Sequence, residues 1–135
     1  MSEKNKMRFG LLGRDIDYSF SRAYFESKFR KEKLHHCSYE NFDMADLIDF
    51  KKVLQIPQLK GMNVTIPYKQ DVIHFLDNID EISKSIGAVN TIVFNKDGTT
   101  TGYNTDYIGF QKSINHLISP EIDAALVLGL SLIHI

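Results

Sequence analysis

Residues 61–69, Gly-Met-Asn-Val-Thr-Ile-Pro-Tyr-Lys, constrain the fold more than any other stretch of this chain. Met62 and Val64 alternate with polar residues, as in a half-buried strand. Pro67 has no amide hydrogen, so it ends sheet pairing and suits the first turn of a helix. Apolar residues then recur at helical spacing over 68–76, which predicts a strand-to-helix corner. The lysine at that corner is placed to meet a ligand, or else is a solvated residue of an ordinary helix.

The composition is that of a globular protein. The 135 residues suffice for one domain with a sizeable core, or for one domain and the start of another. A net charge of −1 gives no indication of a nucleic-acid or membrane surface. No apolar run reaches the ~20 residues that cross a bilayer. Cys37 is the only cysteine, so no intrachain disulfide can form and a reducing cytoplasm fits.

Short apolar stretches alternate with helical stretches along the chain. Strands are predicted at 8–13, 37–42, 61–66, 89–94 and 99–103, with helices at 22–33, 44–54, 68–76 and 107–117 and a short helix ending at 86. Asp97-Gly98 is a strong hairpin signal because both residues accept the backbone angles of a tight turn. The alternation predicts an α/β fold with an open, mainly parallel but mixed sheet and helices on both faces.

Several polar residues next to these helices have structural explanations. Ser21 is predicted to cap the helix 22–33, Asp43 to cap the helix 44–54, and Asp106 could cap the helix 107–117. Apolar positions of the three helices are expected to face the core: Tyr24, Phe25, Phe29, Leu47, Phe50, Leu54, Ile114 and Leu117. A metal site at 35–37, His-His-Cys, is not favoured, because neighbouring side chains of a strand point to alternate faces.

Three polar clusters remain, each at the end of a predicted strand or the start of a helix. They are Ser19 with Ser21, Asn63 with Thr65 and Lys69, and Asn90 with Asp106. Ligands of open α/β sheets bind in the crevice beyond the strand ends. If the clusters share one edge, their hydroxyl, amide, carboxylate and ammonium groups suit a small polyhydroxylated acid.

Three segments of the chain that contain these polar residues resemble, in order and spacing, the signature segments of shikimate dehydrogenase. They are residues 61–69, residues 86–91 (Ile-Gly-Ala-Val-Asn-Thr) and residues 102–106 (Gly-Tyr-Asn-Thr-Asp), and the resemblance covers about 7–129. Ser19-Phe20-Ser21 falls where that family has paired serines. The resemblance implies an N-terminal domain that binds shikimate, residues 1–118, followed from 119 by a Rossmann-type domain that binds NADP.

The resemblance also implies roles for single residues. Lys69 and Asp106 correspond to the catalytic pair, and the substrate readers correspond to Ser19, Ser21, Asn63, Thr65 and Asn90. The implied reaction is the NADPH-dependent, reversible reduction of 3-dehydroshikimate to shikimate on the route to chorismate and aromatic amino acids. A proton must reach the developing alkoxide, and the Lys69 ammonium can donate it. Asp106 favours the charged lysine whereas burial opposes it, and the sequence leaves that balance open. The parent enzyme would be a cytoplasmic monomer or homodimer with a small-molecule substrate.

The chain departs from the family pattern at two residues beside the paired serines and at its C-terminal end. Tyr18 stands where the family often has histidine, and Arg22 replaces a frequent proline. Gly129 corresponds to the first glycine of the dinucleotide-binding turn, but residues 130–135 do not continue that turn. We therefore expect a truncated NADP domain, and no turnover by the 135-residue chain alone. A quinate-preferring dehydrogenase, a non-catalytic shikimate-binding module and an α/β domain without ligand are the alternatives.

Overall fold

The computed structural model describes residues 6–119, 121–124 and 126. The chain divides into two compact units, Met1–Thr105 and Asp106–Ile135. Its strands are β1 Met7–Gly13, β2 Cys37–Asp43, β3 Leu59–Val64, β4 Asn78–Ile79, β5 Thr91–Phe94 and β6 Thr100–Tyr103. Its helices are α1 Ser21–Lys31, α2 Phe50–Leu54, a 3-10 helix Asp71–Phe75, α3 Glu81–Ile86 and α4 Thr105–Ile114. No described helix is both long and apolar enough to cross a membrane.

The described strands form one six-stranded sheet in the order β2-β1-β3-β5-β6-β4. β1 pairs in parallel with β2 and β3, and β4 pairs in parallel with β6. β5 runs antiparallel to both of its neighbours, β3 and β6. The sheet is therefore mixed and mainly parallel, which confirms the predicted fold class.

The two faces of the sheet carry separate hydrophobic clusters, because successive residues of a strand point to opposite faces. Leu12 contributes to the larger cluster, whose fully buried members include Phe50 from α2 and Val72 from the 3-10 helix. Its neighbour Leu11 contributes to the smaller cluster with Ile16 and Tyr39, against which Phe25 and Phe29 of α1 pack. Helices thus cover both faces, as predicted. Tyr24, in contrast, is 60% exposed and does not belong to the predicted apolar stripe.

The predicted helix at 44–54 is wrong over its first half. The helix begins only at Phe50, and no side chain caps it. Asp43 is the last residue of β2, and its carboxylate accepts the backbone amides of Asp15 and Ile16 at 2.9 and 3.0 Å. Because that carboxylate already bonds a loop far away in sequence, it caps no helix here. The predicted burial of Leu47 and Phe50 is confirmed.

The corner after β3 contains turns in place of the predicted α-helix. The strand ends at Val64, turns follow over 66–70, and only the 3-10 helix Asp71–Phe75 is regular. The backbone carbonyl of Lys69 accepts the amide of Val89 at 2.7 Å, so it is committed to a distant segment. The Lys69 carbonyl therefore makes this tertiary hydrogen bond in place of the local helical bond that the apolar spacing predicted.

Between the corner and β6, α3 and the hairpin follow the prediction, whereas the two-residue strand β4 was not predicted. Asp80 caps the start of α3, where its side chain accepts the amides of Ile82 and Ser83, and Gly87 caps its end with φ 74°. β5 and β6 form the predicted hairpin, with Gly98 in its loop at φ 87°. Glycine is required at these two positions because other residues rarely adopt a left-handed backbone.

The second unit contains most of α4, which begins at Thr105, two residues earlier than predicted, and has no buried residue. Asp106 lies inside its first turn, and Leu117, predicted to face the core, is 65% exposed. The predicted domain change at residue 119 stays a prediction. Gly129 and residues 130–135 lie outside the described residues.

Candidate functional site

The predicted site residues of the first unit gather at the carboxyl edge of the parallel strands. Asn63 is the penultimate residue of β3, and Thr65 follows that strand. Ser19 and Ser21 lie in and just after the connection that leaves β1 at Gly13. Asn90 precedes β5, which runs antiparallel to β3 and therefore begins at the edge where β3 ends. The strand directions thus bring together residues that are distant in sequence.

A continuous chain of side-chain hydrogen bonds runs along this edge. We call it the carboxyl-edge network, and its members are Tyr39, Asn63, Thr91, Asn90 and Thr105. Tyr39 donates to Asn63 Oδ1 at 2.9 Å, and Asn63 Nδ2 donates to Thr91 Oγ1 at 3.5 Å. Thr91 donates to Asn90 Oδ1 at 3.0 Å. Two predicted substrate readers, Asn63 and Asn90, therefore belong to one connected structure.

Sequence reasoning missed three members of the network, Tyr39, Thr91 and Thr105. The Tyr39 ring is 5% exposed and stacks on Phe25, with centroids 4.5 Å apart. Burial raises the pKa of Tyr39 to about 12, although Ser21 works in the opposite direction. The phenol therefore stays protonated at neutral pH and can donate to Asn63. The strand alternation of β2 could have placed Tyr39 on the α1 face, but only the tertiary structure shows its partner.

The two serines differ from their predicted roles at the helix start. Ser21 is the first residue of α1, and the helix has no side-chain cap. Ser19 Oγ accepts the amide of Ser21 at 3.3 Å. The side-chain hydrogen bond at the start of the helix is therefore made by Ser19 and not, as predicted, by Ser21. Burial raises the pKa of Tyr39, and the Ser21 side chain acts against that effect. The Ser19 hydroxyl is fixed at the start of α1 by its bond to the Ser21 amide.

Thr65 lies directly against the connection that carries the serines. Its amide donates to Leu12 O at 2.9 Å, which fixes its backbone beside β1. A Cβ on Gly13 would come within 2.7 Å of the Thr65 methyl group and 2.4 Å of Ile16 Cγ2. Gly13 therefore permits a close approach between the corner after β3 and the connection after β1.

Asn90 is 8% exposed, and both ends of its carboxamide are bonded. Its Nδ2 donates to Thr105 Oγ1 at 2.9 Å, and its Oδ1 accepts the amide of Thr105 at 2.8 Å. Its backbone joins β3 to β6, because its carbonyl accepts from Val64 and its amide donates to Tyr103. Asn90 thus organises the edge and fixes the start of α4 at Thr105.

Lys69 is partly buried and follows Tyr68, the anchor of the corner. The Tyr68 ring is 3% exposed, and its hydroxyl donates to Met44 O at 2.5 Å. Arg14 Nε donates to the same hydroxyl at 3.2 Å. The backbone of Lys69 is therefore held by the tyrosine before it and by Val89, which bonds its carbonyl.

The predicted pairing of Lys69 with Asp106 stays a prediction, because Asp106 begins the second unit. Among the described residues, no three histidine, cysteine, aspartate or glutamate side chains are grouped to hold a metal ion. Gly129, the predicted cofactor-binding residue, is not described, and the described residues contain no glycine-rich dinucleotide-binding turn.

An α/β domain with connected polar groups at the carboxyl edge of its sheet is of the class that binds small polar molecules. Comparison with known families makes this specific. Residues 11–92 match the family described as the shikimate dehydrogenase substrate binding domain. Since this match covers more than half of the chain, the protein belongs to that family.

Individual relatives agree with the family match. The chain is 38% identical over 127 residues to the shikimate dehydrogenase (NADP(+)) of Staphylococcus epidermidis, covering 92% of this chain and 46% of the relative. The shikimate 5-dehydrogenase of Listeria monocytogenes, solved with shikimate and NAD, matches with a TM-score of 0.73 and 31% identity over 83% of this chain and 39% of that one.

The quinate dehydrogenase of Corynebacterium glutamicum, solved with NAD, matches with a TM-score of 0.71 and 33% identity over 82% of this chain and 42% of that one. The chain therefore spans less than half the length of each of these relatives. The matches concern their substrate-binding part.

Proposed function

We propose that this chain is the substrate-binding part of an NADP-dependent shikimate dehydrogenase and binds shikimate or 3-dehydroshikimate at the carboxyl edge of its sheet. The observation that carries the proposal is the carboxyl-edge network, which holds Asn63 and Asn90 in one hydrogen-bonded chain. The family membership and the names of the relatives support the choice of ligand.

The chemistry of the edge fits a cyclic acid with several hydroxyl groups. Serine and threonine hydroxyls both donate and accept hydrogen bonds, and an asparagine carboxamide has two donors and an acceptor. Ser19, Ser21 and Thr65 would provide hydroxyls, while Asn63 would provide a carboxamide already oriented by Tyr39. Because these groups are positioned before the ligand arrives, binding loses little further side-chain entropy.

Lys69 is proposed as the proton donor. Reduction of a ring carbonyl places negative charge on its oxygen, and an ammonium nearby both stabilises that charge and supplies the proton. NADPH, when bound, supplies the hydride. Asp106 is proposed to assist Lys69, and this role rests only on the match of Asp106 to the family motif. In a longer form of the protein that turns over shikimate, Lys69→Ala should lower turnover by ~10²–10⁴ and change the Michaelis constant less.

Quinate is a second candidate substrate, since a quinate dehydrogenase is among the structural relatives at 33% identity. The paired Ser19 and Ser21 favour shikimate, because a threonine at one of these positions would be the clearer sign of a quinate enzyme.

The family further suggests a role in aromatic amino acid synthesis, and the single cysteine suggests a cytoplasmic location. A parent enzyme that is a monomer or a homodimer fits equally well.

The proposal is tested by titrating the purified 135-residue chain with shikimate and with quinate, using amide chemical shifts to locate binding. Shikimate should perturb the amides of Ser19, Ser21, Asn63 and Thr65. Asn63→Ala should weaken shikimate binding by about tenfold, since buried polar partners lose their bond.

The matched control is Asn95→Ala in the β5–β6 hairpin. Asn95 Nδ2 also bonds threonine hydroxyls, at 3.0 Å to Thr99 and 2.9 Å to Thr101, but at the opposite edge of the sheet. This variant should change affinity by less than about twofold. If neither shikimate nor quinate bound, or if both variants weakened binding equally, the proposed site would be wrong.

The chain alone should not reduce NADP, and measurable NADPH formation would contradict that expectation.

A further inference from the structure

Residues 14–20, between β1 and α1, are called the serine connection. Asp43 lies outside this segment but contacts it. Asp43 is paired with Gly13 in the parallel register of β1 and β2. Beyond Gly13 the backbone turns sharply, with Asp15 at φ 52°. As a result, two successive amides of the connection point at the Asp43 carboxylate, and each of its oxygens accepts one, at 2.9 and 3.0 Å.

Further hydrogen bonds link the amides that Asp43 holds to both serines. The Ile16 carbonyl, next to the amide held by Asp43, accepts the amide of Ser19 at 2.9 Å. Ser19 Oγ then accepts the amide of Ser21 at 3.3 Å. The Ile16 side chain is fully buried, so the connection is held by its packing at the point where Asp43 bonds it. Moving this point would move both serine hydroxyls.

β2 therefore holds the serine connection through Asp43, which bonds the first half of that segment. The return bond from Met44 N to Gly13 O, at 3.0 Å, closes the contact between the end of β2 and the end of β1. A carboxylate that accepts two backbone amides is a strong and directional anchor.

We propose that Asp43 is a positioning residue for ligand binding: it places Ser19 and Ser21 at the carboxyl edge by fixing the serine connection, without touching the ligand itself. This inference rests on the proposed function, because the serines matter only if they contact a ligand there.

The test compares shikimate affinity of the 135-residue chain with Asp43→Ala and with Asp46→Ala. Asp46 is the matched control, since its Oδ1 accepts a backbone amide of its own exposed loop, that of Ile48 at 2.9 Å. Asp43→Ala should weaken shikimate binding by at least about tenfold, and Asp46→Ala by less than about twofold. Asp43→Asn, which keeps one accepting oxygen, should fall between the wild-type chain and Asp43→Ala.

Two readouts separate positioning from a general loss of stability. Amide exchange at Asp15, Ile16 and Ser19 should accelerate in Asp43→Ala while that of β3 stays unchanged. In a chain that already carries Ser19→Ala and Ser21→Ala, adding Asp43→Ala should change affinity by less than about twofold, because its effect is exerted through those serines.

Equal affinity of Asp43→Ala and wild type would overturn the inference while leaving the proposed function intact. So would an undiminished effect of Asp43→Ala in the double-serine background. If the wild-type chain bound no shikimate, the proposed function and the role of Asp43 in binding would both fail. The exchange rates would then still decide whether Asp43 fixes the connection.

Discussion

The two faces of the sheet bury different kinds of side chain. One face holds the larger cluster, in which Phe50, Leu12, Val72 and Ile92 have no exposed surface. The face covered by α1 holds a smaller cluster around Leu11, Ile16 and Tyr39, and α1 itself has no fully buried residue. The hydrogen bond between Tyr39 and Asn63 lies on this second face.

This difference shows how one small sheet supports both stability and a polar site. Burial of apolar surface is the main favourable term in folding, and it is concentrated on the face covered by α2 and the 3-10 helix. Burying a polar group costs free energy unless it is hydrogen-bonded, and on the α1 face the Tyr39 hydroxyl is bonded to the Asn63 carboxamide. The α1 face can therefore orient hydroxyl and carboxamide groups at its edge.

The largest effect is expected from truncating the centre of the larger cluster. Phe50 is fully buried and meets Phe75 edge to face, with centroids 5.5 Å apart. Phe50→Ala should lower the free energy of unfolding by ~3–5 kcal/mol, since it creates a cavity. Phe25→Ala on the α1 face should cost about half as much, because Phe25 is only partly buried. Denaturant unfolding of both variants measures the comparison, and equal losses would show that the faces do not differ in this way.

A smaller effect is expected at Gly13, where the connection after β1 meets the corner after β3. Gly13→Ala would place a Cβ 2.4 Å from Ile16 Cγ2 and 2.7 Å from Thr65 Cγ2. The neighbours must shift, and we expect a loss of ~1–3 kcal/mol in the free energy of unfolding. Gly109→Ala is the control, because a Cβ there meets nothing within 4 Å. A Gly13→Ala chain as stable as Gly109→Ala would mean that the two segments can separate without cost.

The smallest effect is expected from removing the Tyr39 hydroxyl. Tyr39→Phe should lower the free energy of unfolding at neutral pH by ~1 kcal/mol, through the lost bond to Asn63. The effect also depends on pH. Burial raises the pKa of Tyr39 from 10.0 to about 12, so the folded chain keeps this proton longer than the unfolded one. Its contribution is fully present below pH 10 and is lost as the pH rises towards 12.

Alkaline unfolding midpoints of the wild-type chain and Tyr39→Phe therefore provide the measurement. The wild-type chain should lose more stability than Tyr39→Phe between pH 9 and 12, by ~1–2 kcal/mol. The other tyrosines titrate in both proteins and cancel in the difference. Identical pH profiles would contradict the burial of the phenol.

The sequence predicted the regular parts of the fold well, because their signals are local. β1, the β5–β6 hairpin and the short helix α3 lie close to their predicted places. The predicted helices at 44–54 and 68–76 are shorter than expected, because distant partners compete for the groups at their starts. Asp43 bonds the serine connection, and the Lys69 carbonyl bonds Val89, in place of the local helical bonds.

The sequence by itself determined the mixed α/β class, the family and the residue types of the candidate site. These depend on periodicity and on motifs, which are properties of neighbours along the chain. Only the tertiary structure decided that Tyr39 bonds Asn63, that Ser19 rather than Ser21 accepts the local amide, and that Asp43 holds the serine connection. The Tyr39–Asn63 and Asp43 bonds join residues more than twenty positions apart, so strand register sets them. Register follows from burial of the whole sheet and cannot be inferred from any one segment.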